Sequence, residues 1–471
     1  MKLGSVERPL HSSEPMKVAR AIIENEFVTP AGRPGLWFAR GTFWVWQGGR
    51  WQRRERGELE RATMRWMEDM NVQISDNSTE RLGPGRGDAE QVVWAMESLR
   101  EIPLKSMPVW TEGATERPHA GFCVALKDVV WSAEGHLERR DETWFDHVVL
   151  PCTLQEALTG KRERWERAVA EWGNGDPEWG KLLQRWMGYC LLTGREYRKW
   201  MLLQGVTAGG KGTINHVLKA MLGEGMVIMD LDTLVNDYGL AGVEHARVLS
   251  INEVSSLDRV GRGRGSKVVK SLVGQDPISI NEKFEKIQKG VICNAAVMMS
   301  SNQVPDLGNE GAGMSAKMLV LPVTVGFDEK GAEVGLKERL VREELPGIIG
   351  WAMKGAEELV KARQETRWPR PAKAEDVERT YRVANNPMDA FLESCFIKDN
   401  TGYVRSEVVK REWREFCREN RLKNRVPDNQ LLMRLEQEGS WQVERARMRT
   451  DDGQVRVLKG VSLKKLRDSD L

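Results

Sequence analysis

Residues 202–218, Leu-Leu-Gln-Gly-Val-Thr-Ala-Gly-Gly-Lys-Gly-Thr-Ile-Asn-His-Val-Leu, run from an apolar stretch through a glycine-rich turn into a helical pattern that starts at a lysine. Binding a chain of phosphates calls for this order. Glycines let backbone N–H groups curl around an anion without Cβ clashes. The helix N-terminus adds donors and a favourable dipole, and a lysine brings a mobile positive charge to the outer oxygens. Gly205, Gly209, Gly210, Lys211, Gly212 and Thr213 are therefore candidate nucleotide contacts, with ATP and Mg2+ as the expected ligands. The spacing is G-x-x-x-x-G-K, but Gly212 stands where a hydroxyl residue usually follows the lysine. Thr213, one place further on, is the expected Mg2+ ligand. A nucleotide kinase could use the same loop, and an incidental strand–helix turn is the bland alternative.

Hydrolysis also needs a group to activate water. Residues 247–253, Arg-Val-Leu-Ser-Ile-Asn-Glu, read as a strand that ends in Asn252 and Glu253. Glu253 is the candidate to polarise water. Asn252 occupies a place where a metal-binding carboxylate is common, and an amide cannot supply that negative charge. A second polar strand end, Ser300-Ser301-Asn302, follows the apolar run 295–299, and Asn302 is the candidate to orient water against a terminal phosphate. Between the two, a helical stretch passes through Gly274-Gln275-Asp276-Pro277 into an extended segment carrying Lys283. That lysine suits a hairpin that follows a phosphate backbone, although a lone exposed lysine would otherwise mean little.

These groups need a frame. From 197 to about 329, short apolar runs at 200–204, 226–229, 247–251, 295–300 and 318–322 alternate with helical patterns, the signature of an α/β core. Residues 1–35 read as a loosely structured arm with a short helical stretch at Lys17–Glu26, and 36–51 as short aromatic strands joined by a Gly-Gly turn. The stretch 36–180 reads as an α+β then helical N-terminal region, 181–360 as the ATPase core, and 361–385 as a linker around Trp368-Pro369-Arg370-Pro371. Residues 386–471 read as a small helix-plus-hairpin module of winged-helix type. Over 401–471 there are 17 Lys+Arg against 12 Asp+Glu, and seven of those bases fall in 410–425. Lys410, Arg411 and Arg414 are thus candidate DNA contacts, with a solvated helical face as the alternative.

Composition narrows the class. With 71 Lys+Arg against 69 Asp+Glu, any basic surface must be local. A chain of 471 residues that is 40% hydrophobic and 30% charged is globular rather than disordered or fibrous. No window approaches the roughly 18 apolar residues of a membrane span. The first residues lack the apolar stretch of a signal peptide. Six scattered cysteines without a Cys-x-x-Cys pair support neither a disulfide scaffold nor a zinc ribbon. A cytoplasmic protein in a reducing compartment is the expectation.

In this order the four blocks resemble the superfamily 3 helicase domain of phage and plasmid replication proteins, the D5-like/P4-like primase-helicase group. Residues 205–213 resemble its phosphate loop, Asn252-Glu253 its acidic motif, 272–284 its pore-loop motif, and Ser300-Ser301-Asn302 its sensor motif. Residues 183–192 resemble its preceding helix, 344–352 its Glu-Leu-Pro-Gly-Ile helix, and 404–416 the opening of its C-terminal module. The resemblance implies an AAA+-like ATPase that forms a ring, usually a hexamer, on single-stranded or forked DNA. ATP would bind at subunit boundaries, Glu253 and Asn302 would act on water and γ-phosphate, and Lys283 would line the channel. Where the group places an arginine finger, this sequence has Lys317; Arg259, Arg262 or Arg264 could instead reach a neighbour. Arg262 and Arg264 sit in a Gly/Arg-rich stretch, 259–265, that reads as a DNA-facing or subunit-contact loop. No zinc cluster or paired acidic strand motif suggests primase activity, so a separate primase or other replisome protein is an expected partner. A loader, regulatory or packaging ATPase that binds DNA without unwinding it is the main alternative.

Overall fold

The computed structural model describes residues 14–471 except 70, 76–77, 82, 103–106, 113–116, 195, 253–258, 282–287, 306, 308–311, 328–332, 363–367, 423–425, 438–440, 451–452 and 465–471. Its centre is a five-stranded, wholly parallel sheet. The strands are β1 (Trp200–Gly205), β2 (Met226–Met229), β3 (Val248–Asn252), β4 (Ala296–Ser301) and β5 (Met318–Val323), in the spatial order β2-β3-β4-β1-β5. The strands are apolar almost throughout, as a sheet covered on both faces requires.

Alternate side chains feed two separate cores. Met201, Leu203, Val248, Met298 and Leu321 join one core, while Trp200, Leu202, Leu249, Met299 and Val320 join the other. The first core is completed by helices α1 (Pro177–Leu191) and α4 (Leu345–Ala362), by α2 (Lys211–Leu222), and by the helix Glu163–Trp172. Trp179 of α1 donates its indole N–H to the Pro322 carbonyl at 2.7 Å, tying this helical layer to β5. Buried Glu344 accepts from the backbone N–H groups of Arg164 (3.1 Å) and Trp165 (2.9 Å), satisfying the open first turn of that helix.

Toward the N-terminus, a three-stranded antiparallel sheet (Leu36–Ala39, Thr42–Gln47, Arg50–Arg54) packs on helices. One of these helices, Pro15–Glu26, falls within the stretch expected to be a loose arm. It is held because Val18, Ala19, Ile22 and Ile23 form an apolar stripe buried with Val92 and Met96. The expected linker also differs. Its second half is helix α5 (Ala374–Asn385), whose Tyr381 ring lies 5.7 Å from Trp200 and whose Asn385 bonds the Leu307 N–H and the Pro305 carbonyl.

The Gly/Arg-rich stretch expected to be a loop is the start of helix α3 (Arg259–Gly274). Its glycines are poor helix formers, but Val269, Leu272 and Val273 anchor the following turns in the second core. The hairpin expected around the Gly-Gln-Asp-Pro turn is present as strands Ile278–Ile280 and Gln288–Val291, paired antiparallel.

The C-terminal region has its own core. Its elements are α6 (Pro387–Cys395), β6 (Phe396–Arg405), α7 (Ser406–Glu419), α8 (Asp428–Gln437), β7 (Glu444–Thr450) and β8 (Gly453–Leu463), with sheet order β6-β8-β7. Among the described residues, no helix is long and apolar enough to cross a membrane.

Candidate nucleotide site

Parallel registers bring the polar strand ends together. Asn252 of β3 is opposite Ser300 of β4, and Ser300 is opposite Leu203 of β1, just before the glycine loop. Ligands of open parallel sheets sit outside these carboxyl ends. Here the edge opens into a cleft of about 750 Å3, lined by Lys211, Gly212, Asn215, His216, Asn252, Ser300, Ser301, Asn302, Gln303 and Lys337, with Ile228 at its side.

The loop is shaped by its glycines. Gly205 has φ +146°, and a Cβ there would lie 1.8 Å from the Val323 carbonyl oxygen, which instead accepts from the Val206 N–H at 2.9 Å. Gly210, at φ +89°, turns the chain into α2, and a Cβ there would strike the Trp172 indole at 2.5 Å. Gly209 is buried against the Val323 side chain. The helical layer and β5 therefore clamp the loop from two sides.

Lys211 begins α2. Its ammonium donates to the carbonyls of Gly205 (2.8 Å) and Val206 (2.6 Å), and burial pulls its pKa below the ordinary lysine value. Asn302 is exposed at the end of β4, and its carbonyl accepts from the Gln204 side chain at 3.1 Å. Lysine loop and asparagine are thus held on adjacent strands facing one cleft.

Beneath them lies a neutral hydrogen-bond network. Asn215, one turn after Lys211 and only 6% exposed, donates to Asn252 Oδ1 (3.1 Å) and Ser300 Oγ (3.2 Å). Ser250 Oγ donates to Asn215 Oδ1 at 2.8 Å and lies 3.2 Å from Asn252 Oδ1. Asn215 was not among the residues singled out from sequence. A polar side chain between the apolar Ile214 and Val217, Leu218 was the available signal. Lys337, on the short helix Leu336–Arg339, was also missed, because nothing local marks it.

The other predicted residues fall as follows. Thr213 is half-buried and does not line the cleft, since consecutive helical residues point about 100° apart. Gly212, in the place usual for the hydroxyl, faces the cleft with no side chain. Lys317 ends the helix Ala312–Lys317 just before β5 and is not a lining residue either. Glu253 and Lys283 lie outside the described residues, as does the side chain of Arg262; Arg264 is exposed on α3.

Lys410, Arg411 and Arg414 are on α7, and each has a carboxylate partner: Glu407 (2.9 Å), Glu412 (3.0 Å) and Asp428 (2.5 Å). The described lining of the cleft carries lysines, amides and hydroxyls but no carboxylate. That donor set fits a polyphosphate anion. It does not by itself supply the anionic oxygens a bare divalent cation prefers, and among the described residues no cluster of His, Cys, Asp or Glu could hold a metal.

Comparison with known proteins adds a fold relationship. Residues 203–313, which include the glycine loop, β3 and β4, match a family described as a family of unknown function (DUF5906). No curated protein sequence matches the chain. Among solved structures, the apo NrS-1 C terminal region (305-718) is similar with a TM-score of 0.51 at 12% identity, over 95% of this chain and 99% of that one. Its A form gives 0.50 at 11% identity, over 95% and 100%. At this identity the likeness is one of fold, and it extends over nearly the whole chain.

Proposed function

We propose that the chain is an ATP-driven DNA helicase of phage or plasmid replication, built on an AAA+-like phosphate-loop core with a winged-helix module at its C-terminal end. The observation that carries this reading is the convergence of the Lys211 loop, Asn252 and Asn302 on one cleft at the carboxyl edge of the sheet. The strand order supports it, because β4 stands between the loop strand and β3 and so sets Asn302 beside both. The helix–strand–helix–helix–hairpin order of 387–463, with its β6-β8-β7 sheet, supports the winged-helix reading.

In this account the loop N–H groups and Lys211 hold the phosphates, and Lys211 exchanges its carbonyl partners for phosphate oxygens. Asn302 orients water at the terminal phosphate, and Glu253 accepts the proton. Asn215 keeps the Asn252 amide in one orientation. Mg2+ arriving with the nucleotide would supply neutralising charge, and Asn252 is the described side chain at this strand end that would hold it. A hexameric ring around single-stranded DNA, with Lys283 in its channel and Lys317 or an arginine of 259–264 crossing to a neighbouring site, completes the proposal.

A second reading is favoured by one observation. With Gly212 and Asn252 where a hydroxyl and a carboxylate would bind metal, the site is better equipped to hold ATP than to hydrolyse it quickly. A loader or regulatory ATPase would need no more. Steady-state ATP hydrolysis and forked-duplex unwinding, each with and without single-stranded DNA, separate the two. Stimulated hydrolysis with unwinding supports the helicase, and hydrolysis without unwinding supports the loader. Absence of both ATP binding and hydrolysis rejects both.

A further inference from the structure

The basic run at 410–425 drew attention in the sequence, yet the cations of α7 are neutralised at home. Lys410, Arg411 and Arg414 have the partners given above, and Arg418 pairs with Glu415. The β7–β8 hairpin shows the opposite pattern. Arg447 stands directly opposite Arg456, and Arg449 opposite Gln454. Residues opposite each other in an antiparallel pair project from the same face, where like charges repel. All three arginines are exposed, and none has an ion pair among the described residues.

The direction of this face is fixed by its other members. Arg445 and Leu458 form the next pair along the same face. Arg445 bonds Glu436 of α8 at 2.6 Å, and Leu458 is buried in the core of the region. The arginine face is therefore the one that leans on α8 and continues beyond it. Helix α8 buries Leu431 and Leu435 and exposes Asn429, Gln430, Arg434 and Gln437. Exposed amides and an arginine on a helix are the groups that read base edges in a major groove, and a flanking row of guanidiniums is the complement of a phosphate backbone.

We propose that α8 and the arginine face of the β7–β8 hairpin form a duplex-DNA docking surface, in which Arg447, Arg449 and Arg456 hold phosphates while Asn429, Gln430 and Arg434 face the bases. The paired arginines cost the free hairpin stability that a polyanion would restore. The surface gives the proposed DNA function a second, double-stranded contact apart from the ATP cleft, and in that sense it rests on the nucleotide-site reading.

The test uses the full chain and a fluorescent random-sequence duplex of about 25 base pairs, with a single strand of equal length as the second probe. Replacing Arg447, Arg449 and Arg456 together by Gln should weaken duplex binding roughly ten- to hundredfold near 0.15 M salt. It should also lower the slope of log K against log salt by up to about 2.7, three phosphate contacts at about 0.9 each. The triple Lys replacement should retain most of the slope, and Lys410→Gln with Arg411→Gln and Arg414→Gln should change binding less than about threefold. Wild-type duplex binding by the hairpin Gln variant, or a larger loss from the α7 variant, would overturn the assignment. An equal loss for single strand and duplex would overturn the duplex part of it. ATP hydrolysis without DNA, measured on the same proteins, should be unaffected by the hairpin changes. Loss of duplex binding with intact hydrolysis cannot be confused with failure of the nucleotide site, which would show as absent hydrolysis in the wild type.

Discussion

Strand β3 has a charged, sealed end and a neutral, open one. Before its first residue, Arg247 is 2% exposed and its guanidinium bonds the Asp146 carboxylate and the Leu191 carbonyl. At its other end, Asn252 lies in a net of amides and hydroxyls beside the cleft. A buried charge is tolerable only with its partner in place, so the first end fixes architecture: Asp146 comes from the N-terminal half and locks it to the sheet. The second end leaves polar atoms facing an open volume, where a ligand can still be recognised. Polarity alone does not mark function; polarity that meets an opening does.

The largest effect should come from breaking the sealed end. Arg247→Met strands the Asp146 carboxylate and should lower stability by about 3–5 kcal/mol in urea unfolding. Adding Asp146→Asn should recover much of the loss. If the single variant unfolds like the wild type, the ion pair is not what joins the two halves.

The open end should respond more gently and differently. Asn215→Leu removes donors to Asn252 and Ser300 and should cost about 1–3 kcal/mol of stability. Its sharper signature is kinetic: turnover should fall more than nucleotide affinity, because the loop is untouched while the orientation of Asn252 is lost. Equal losses in kcat and affinity would assign Asn215 to packing only.

The smallest effect is in pH. Trp44 sits 5.5 Å from the His147 ring and 5.2 Å from the His245 ring, near Asp146, Arg247, Arg40, Arg53 and Glu224. Burial lowers both histidine pKa values from 6.5; Arg40 and Arg53 add to it at His245, while at His147 the pull of Asp146 and Glu224 opposes burial, Arg247 and Arg53 without overcoming them. Depressed folded values mean that the unfolded chain takes up protons first as pH falls. Stability should therefore be level above about pH 7.5 and decline progressively below it as the unfolded chain protonates. The His147→Gln, His245→Gln double variant should flatten this slope in unfolding curves taken from pH 8 to pH 5.5.

Much of the sheet was legible because its strands are apolar runs broken by turn residues: the run read at 226–229 is the strand Met226–Met229, and 200–204 is one residue short of Trp200–Gly205. The glycine loop was legible for the same local reason. Contacts between distant segments were not. Nothing at 172 announces that Trp172 presses on Gly210, and Asn215 gains meaning only when β3 and β4 arrive beside it. Charge counting over the basic run does not show that its α7 cations have carboxylate partners, one helical turn back for Lys410 and Arg418, adjacent for Arg411 and on α8 for Arg414, whereas the hairpin arginines are conspicuous only once the register sets Arg447 against Arg456. In 259–265, glycine content argued for a loop, but packing further along α3 sustains a helix.

The most direct test of the nucleotide site is ATP turnover by Lys211→Ala beside the wild type, with urea unfolding of both. If the glycine loop binds the phosphates, the variant should lose at least about 100-fold in turnover while its unfolding midpoint stays in place, since Lys211 bonds only loop carbonyls at the mouth of the cleft. Turnover near the wild-type rate in a folded variant would contradict the account and remove 205–213 as the working site.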